Sequence, residues 1–124
     1  MLSSNKIVGL VPITDAARSK TFYADKLGLN FISEDPFALV FDANGNVLRL
    51  TKMKEFTPQR FTILGWEVPD IEAAVRQLMA NGVKFERYEF VKQDELGIWT
   101  APGGTRVAWF LDPDGNNLSV SQRG

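Results

Sequence analysis

The chain has 124 residues, of which 44% are hydrophobic and 23% charged, a profile that suits one folded domain with a real core and excludes a disordered chain. Its net charge of −1 leaves no basic footprint for nucleic acid, and no apolar run is long enough to span a membrane. Cysteine and histidine are both absent, which removes disulfides, thiolate metal sites, the commonest metal ligand and the commonest general base near neutral pH.

Residues 1–5 precede the first predicted element, and a strand is predicted from Lys6 to Thr14, with Ile7, Val11 and Ile13 on one face and Val8, Leu10 and Pro12 on the other. Pro12 lacks a ladder donor, so it belongs at an edge or a bulge. Asp15 is the expected N-cap of a helix that runs to about Leu27 and stops at Gly28. Phe22, Tyr23 and Leu27 give this helix its apolar side. Short strands follow at Phe31 to Glu34 and Phe37 to Asp42. Asn44-Gly45 then marks a hairpin, because both residues tolerate positive φ, and Val47 to Met53 is the return strand. Lys54 to Gln59 reads as a connecting loop.

The second half repeats this order. Arg60 to Val68 is a strand, Asp70 an N-cap, Asp70 to Asn81 a helix, and Gly82 its stop. Ile71, Ala74, Val75, Leu78 and Met79 are spaced as one buried stripe. A strand is predicted over about Val83 to Phe90, then a polar insertion over Val91 to Gly97 and a short strand at Ile98 to Ala101. Thr105 to Leu111 is a strand, Asp112-Pro113-Asp114-Gly115 a tight turn, and Asn117 to Gln122 the last strand. Asp15 and Gly28 thus correspond to Asp70 and Gly82, and Gly45-Asn46-Val47-Leu48-Arg49-Leu50 to Gly115-Asn116-Asn117-Leu118-Ser119-Val120. The repeat predicts an α+β fold of two βαβββ modules (about residues 5–54 and 60–123), whose helices cover one face of a curved mixed sheet with a concave cleft on the other.

Alternation separates the two faces. Leu48, Leu50, Leu118, Val120, Leu64, Trp66 and Val68 should meet the helices. The opposite set is apolar, including Val8, Leu10 and Ile63, with polar points at Arg49, Thr51, Glu67, Ser119 and Ser121. Such a lining suits a small-molecule site. The alternative reading is an exposed strand face on which Arg49 and Glu67 are surface partners of little energetic weight.

These residues carry a family resemblance. Thr14-Asp15, Ser19-Lys20-Thr21-Phe22-Tyr23, Lys26-Leu27-Gly28-Leu29, Val68-Pro69-Asp70-Ile71-Glu72-Ala73-Ala74, Asn81-Gly82-Val83 and Phe110-Leu111-Asp112-Pro113-Asp114-Gly115-Asn116 resemble the vicinal oxygen chelate superfamily. Glyoxalase I, extradiol dioxygenases and the bleomycin and fosfomycin resistance proteins are its members. The resemblance covers nearly the whole chain and implies a single domain over residues 1–124. It also implies where a metal would sit. The positions equivalent to the family's His, Gln and Glu ligands hold Val8, Arg49, Ile63 and Ser119, none of them a carboxylate, imidazole or amide. Arg49 is a permanent cation, which repels a metal ion. The remaining donors to consider are Glu67, Asp42 and Asp94.

The expected function is therefore metal-free binding of an apolar or aromatic small molecule, with no cofactor. Arg49 would meet an anionic or carbonyl group, and Phe37, Tyr88, Trp99 and Trp109 would line the cleft, aromatic faces being suited to flat ligands. Each of these aromatics has core packing as its alternative role. The competing function is a glyoxalase- or dioxygenase-like enzyme acting on a small carbonyl or aromatic substrate, with Arg49, Glu67, Tyr88 or Ser119 as the available groups. The resemblance further implies a homodimer. The N-terminus lacks a basic stretch followed by an apolar run, so the cytoplasm is the expected location.

Overall fold

Asp15 and Asp70 open the two helices in the way their spacing predicts. In the computed structural model, which describes residues 1–124, each carboxylate accepts a backbone N–H three residues on, from Arg18 and Ala73, at 3.1 Å in both cases. The chain divides into two compact units, residues 1–57 and 58–124.

In the first unit, β1 (Val8–Ile13) leads into α1 (Ala16–Lys20), followed by β2 (Asn30–Glu34), β3 (Ala38–Ala43) and β4 (Asn46–Lys52). The strands form one mixed sheet in the order β1-β4-β3-β2, with β1 parallel to β4 and the other pairs antiparallel. Pro12 lies in β1, an edge strand of this sheet, where its missing donor costs no ladder bond. The Asn44-Gly45 hairpin forms with φ of 53° and 85°, both positive as a type I′ turn demands. Val11, Ile13, Leu39, Phe41, Leu48 and Leu50 are buried on the helix side, together with Phe22 and Tyr23. After Lys20 the first helix changes spacing. Thr21–Lys26 is π-helical, and the Leu27 N–H donates to the Phe22 carbonyl at 3.0 Å.

Asp35 sets the β2–β3 turn, its carboxylate accepting from the N–H groups of Phe37 at 2.7 Å and Ala38 at 2.9 Å. The Phe37 bond, then the Ala38 bond, hold this carboxyl below its ordinary value. A lowered folded-state value means that the stabilisation is complete above the ordinary carboxylate range and is lost as pH falls through the lowered value. We expect a carboxyl-carbon NMR titration to place Asp35 below the ordinary aspartate value. D35N should show a flatter loss of stability in acid; an identical acid limb in both proteins would contradict this.

In the second unit, β5 (Leu64–Glu67), α2 (Ile71–Ala80), β6 (Trp99–Thr100), β7 (Arg106–Leu111) and β8 (Asn117–Gln122) repeat the pattern, with sheet order β5-β8-β7-β6. Again the first and last strands are parallel and the rest antiparallel. Gly82 closes α2, its N–H donating to the Met79 carbonyl at 3.0 Å and that of Val83 to Leu78 at 2.9 Å. The Gln122 side chain in β8 accepts from the Ile71 N–H at 2.8 Å, tying the start of α2 to the sheet. Ile71 and Val75 are buried, whereas Met79 is 49% exposed and stands outside the predicted stripe.

Two predicted strands differ. Arg60 to Val68 shortens to β5, and Val83 to Phe90 reduces to a single bridge between Phe85 and Phe110. The reason for the second lies in the polar insertion. The Gln93 side chain accepts from the Tyr88 N–H at 2.7 Å and donates to the carbonyls of Glu86 at 2.9 Å and Gly97 at 2.8 Å. One amide thus takes backbone groups that a neighbouring strand would otherwise use.

Candidate functional site

The first unit places Arg49, Thr51 and Phe37. Arg49 and Thr51 are half-buried on β4, facing away from the buried Leu48 and Leu50. Arg49 is in register with Leu10 on one side and Val40 on the other, and Thr51 with Pro12 and Ala38. Val8, one of the metal-equivalent positions, is 47% exposed on the same face. Phe37 stands 72% exposed just before β3.

The second unit holds the other predicted residues and a cleft of about 800 Å³. Its floor comes from β7 and the segment before the insertion. Tyr88 meets Trp109 edge to face at 5.5 Å between ring centres and stacks with Phe90 at 5.3 Å, while Trp99 stacks with Trp109 at 6.0 Å. The opposing wall is the irregular chain from Pro58 to Thr62, and Glu86, Leu111, Gly115 and Asn117 complete the lining. Phe61 and Phe90 are 64% and 82% exposed, so two aromatic side chains border the cleft without being consumed by packing.

Asn117 organises this cleft. Its amide donates to the Tyr88 hydroxyl at 3.0 Å and to the Arg60 carbonyl at 3.2 Å, and its oxygen accepts from the Thr62 hydroxyl at 3.1 Å. Floor and wall are thereby joined through one side chain that is only 4% exposed. Gln93 fixes Tyr88 from the other direction, and Arg87 donates to the carbonyls of Asp94 and Glu95, holding the insertion as an ordered loop.

Of the predicted site residues, the cleft brings together Tyr88 and Trp109, while Trp99 stacks with Trp109 without lining the cleft. Ser119 does not line it. Ser119 is in register with Trp109 and Gly65, is 8% exposed, and its hydroxyl fills the space over Gly65, where a Cβ would come within 2.7 Å. Glu67 lies on β5, ion-paired to Arg123 at 3.0 Å, with side chains 55% and 83% exposed, a pair of little energetic weight. Sequence reasoning missed Phe61, Phe90, Arg60, Thr62 and Asn117. The available signal was Asn117 itself, a polar residue at the start of a strand whose neighbour Leu118 is wholly buried.

The metal-equivalent positions do not fit a divalent ion. Val8 and Ile63 offer no donor, Arg49 carries a fixed positive charge, and Ser119 is committed over Gly65. No three Asp or Glu side chains come together as a metal site elsewhere. Glu67 is paired with Arg123, Asp42 accepts from the Gly45 N–H at 3.1 Å, and Asp94 accepts from Leu96 and Ile98 at 2.9 Å each. Nor is any helix long and apolar enough to cross a membrane.

No curated protein sequence matches the chain. Solved structures match its fold closely. A superfamily member from Sphaerobacter thermophilus DSM 20745 superposes with a TM-score of 0.76 at 21% identity, covering 99% of this chain and 100% of that one. TnmS3, an antibiotic binding protein from Streptomyces sp. CB03234, gives 0.75 at 24% identity over 100% and 99%. A lactoylglutathione lyase from Agrobacterium tumefaciens gives 0.72 at 16% identity over 96% and 93%. The paired strand–helix–strand modules, the Asp caps, the Gly stops and a family profile matched over residues 5–120 agree: the chain belongs to the glyoxalase/bleomycin resistance protein/dioxygenase superfamily.

Proposed function

We propose that this protein is a metal-free small-molecule-binding member of the superfamily, holding a flat apolar or aromatic ligand in the cleft of its second unit. The observation that carries this reading is the set of rings Trp109, Tyr88 and Phe90 along one cleft, with Phe61 also at its border and Trp99 stacked on Trp109. Ring faces left beside open space favour offset stacking with a planar guest. The antibiotic-binding TnmS3, of like fold, supports binding as a use of this architecture.

The test is a titration of tryptophan fluorescence with planar aromatics such as naphthol, quinoline and flavone. We expect saturable quenching by at least one of them, weakened about tenfold or more by Trp109→Ala, the scale of one well-packed aromatic contact. Quenching that never saturates, or that is unchanged in the variant, would overturn the assignment. Two copies are expected to associate, and a sedimentation mass of one chain at micromolar concentration would remove that part of the reading.

The second reading is an enzyme acting on a small carbonyl or aromatic substrate, favoured by the lactoylglutathione lyase of like fold. The groups available to it are poorly placed for proton transfer. The Tyr88 hydroxyl is bonded to Asn117, and the Glu67 carboxylate is exposed beside Arg123. Elemental analysis of untagged protein separates the readings, since stoichiometric metal would reverse their order.

A further inference from the structure

Gln93, half-buried in the insertion, uses every bonding group of its amide. The side-chain oxygen accepts from the Tyr88 N–H at 2.7 Å, and the nitrogen gives its hydrogens to the carbonyls of Glu86 at 2.9 Å and Gly97 at 2.8 Å. One acceptor and two donors on one group are what an amide supplies; an ionised glutamate has no donor, and methionine has no N–H. The Gln93 backbone also forms an isolated antiparallel bridge with Trp99, whose ring stacks with Trp109 at 6.0 Å. Gln93 itself does not line the cleft.

Tyr88 is thereby held at both ends. Asn117 donates to its hydroxyl at 3.0 Å, and Gln93 accepts from its backbone N–H. A ring fixed at one end can pivot, whereas a ring fixed at both keeps one angle to its neighbour. That neighbour is Trp109, with 74° between the ring planes. The Glu86 N–H donates to the Trp109 carbonyl at 2.8 Å, so the segment that Gln93 grips is tied to β7 at this same tryptophan. In the first unit the corresponding chain is β2, which a ladder along β3 holds at Asn30, Phe31, Ser33 and Glu34. The second unit has one bridge at Phe85 and, beyond it, the Gln93 amide.

We infer that Gln93 is a positioning residue of the aromatic cleft: it sets the angle of Tyr88 against Trp109 and, through that angle, which planar guests the cleft prefers. The guest preference rests on the binding reading above; the placement of the rings does not. Holding the ring before a guest arrives removes an ordering cost from binding, and it removes that cost only for guests that fit the held angle.

The test compares the full chain as wild type, Gln93→Glu, Gln93→Met and Val75→Ala. Val75 is wholly buried on α2 and does not line the cleft, so its truncation loosens the same unit from another side. In the guest-free protein, cross-relaxation between the ring protons of Tyr88 and Trp109 should weaken in both Gln93 variants and persist in Val75→Ala. In fluorescence titrations with naphthol, quinoline and flavone, the ratios among the three affinities should shift by about threefold or more in the Gln93 variants, because preference is a difference of affinities and a freed ring suits each guest differently. Val75→Ala should keep the wild-type ratios. Weakening by one common factor for all three guests, or ring contacts kept in both Gln93 variants, would overturn the inference and leave Gln93 as a stabiliser of its loop. Shifted ratios in Val75→Ala would overturn it as well. If no guest saturates the wild type, the binding reading and the guest preference fall together, while the ring contacts still decide whether Gln93 places Tyr88.

Discussion

Asp112→Ala should lower stability by about 3 kcal/mol, the range for losing several hydrogen bonds to one buried carboxylate. Asp112 is 5% exposed. One oxygen accepts from the N–H groups of Asp114 and Asn116 and the other from the Asn116 side chain, all at 2.9 Å. The turn also closes through backbone bonds from Gly115 to Asp112 and between Asp112 and Asn116, at 3.0 Å each. Alanine leaves three donors without their acceptor, and Asn116 is itself 2% exposed, so water cannot replace it cheaply. The loss should appear as a fall of about 10 °C in the thermal midpoint. Asp112→Asn keeps one acceptor oxygen but opposes a donor to the Asn116 amide, and should fall between wild type and alanine. A midpoint for Asp112→Ala within about 2 °C of wild type would show that the turn is held by its backbone alone. The Asp-Pro-Asp-Gly-Asn stretch, one part of the family resemblance, is on this account a device for joining β7 to β8 and not a binding motif.

Asn117→Ala is the second large effect, about 2–3 kcal/mol, because the side chain makes three hydrogen bonds while nearly buried. Its consequence extends beyond stability. The bonds to Tyr88, Arg60 and Thr62 run to both sides of the cleft, so their loss frees the wall from the floor. Amide exchange should accelerate at Thr62 and at the amides around Tyr88 in this variant, while that of the first unit is unchanged. Tyr88→Phe removes only one of the three bonds and should cost about 1 kcal/mol. If both variants lose the same amount, the bonds to Arg60 and Thr62 carry no weight and the cleft is not organised through Asn117.

The fold was legible because its signals are local. Asp15, Asp70, Gly28, Gly82 and Asn44-Gly45 act on backbone groups within four residues, so spacing alone locates them. The buried alternation of Leu48 and Leu50 was legible for the same reason. The face of β8 was harder. Leu118 and Val120 are buried as their pattern implies, yet so are Asn117 and Ser119, whose partners lie distant in sequence at Tyr88 and Gly65. The segment from Val83 to Phe90 has strand composition, but a glutamine in the following insertion takes its backbone bonds. Phe61 and Phe90 fall in predicted strands that the structure leaves as irregular chain, whose course is set by Asn117 and Gln93. The cleft was therefore legible only at Tyr88 and Trp109.

The first copy of the repeated module has one residue more between its Asp and its Gly than the second has, and the wide turn over Thr21–Lys26 is where that residue goes. A helix of ordinary spacing would pass an added residue on as a rotation of everything after it. This one absorbs the excess locally, so Asp15 still caps its start and Gly28 still turns into β2. The two copies can then differ in length without differing in layout. The practical corollary is that this helix tolerates a deletion: a chain shortened by one residue within Thr21–Lys26 would close to ordinary α spacing and keep its sheet in register, whereas the same deletion in Ile71–Ala80 would swing Val75 off the core.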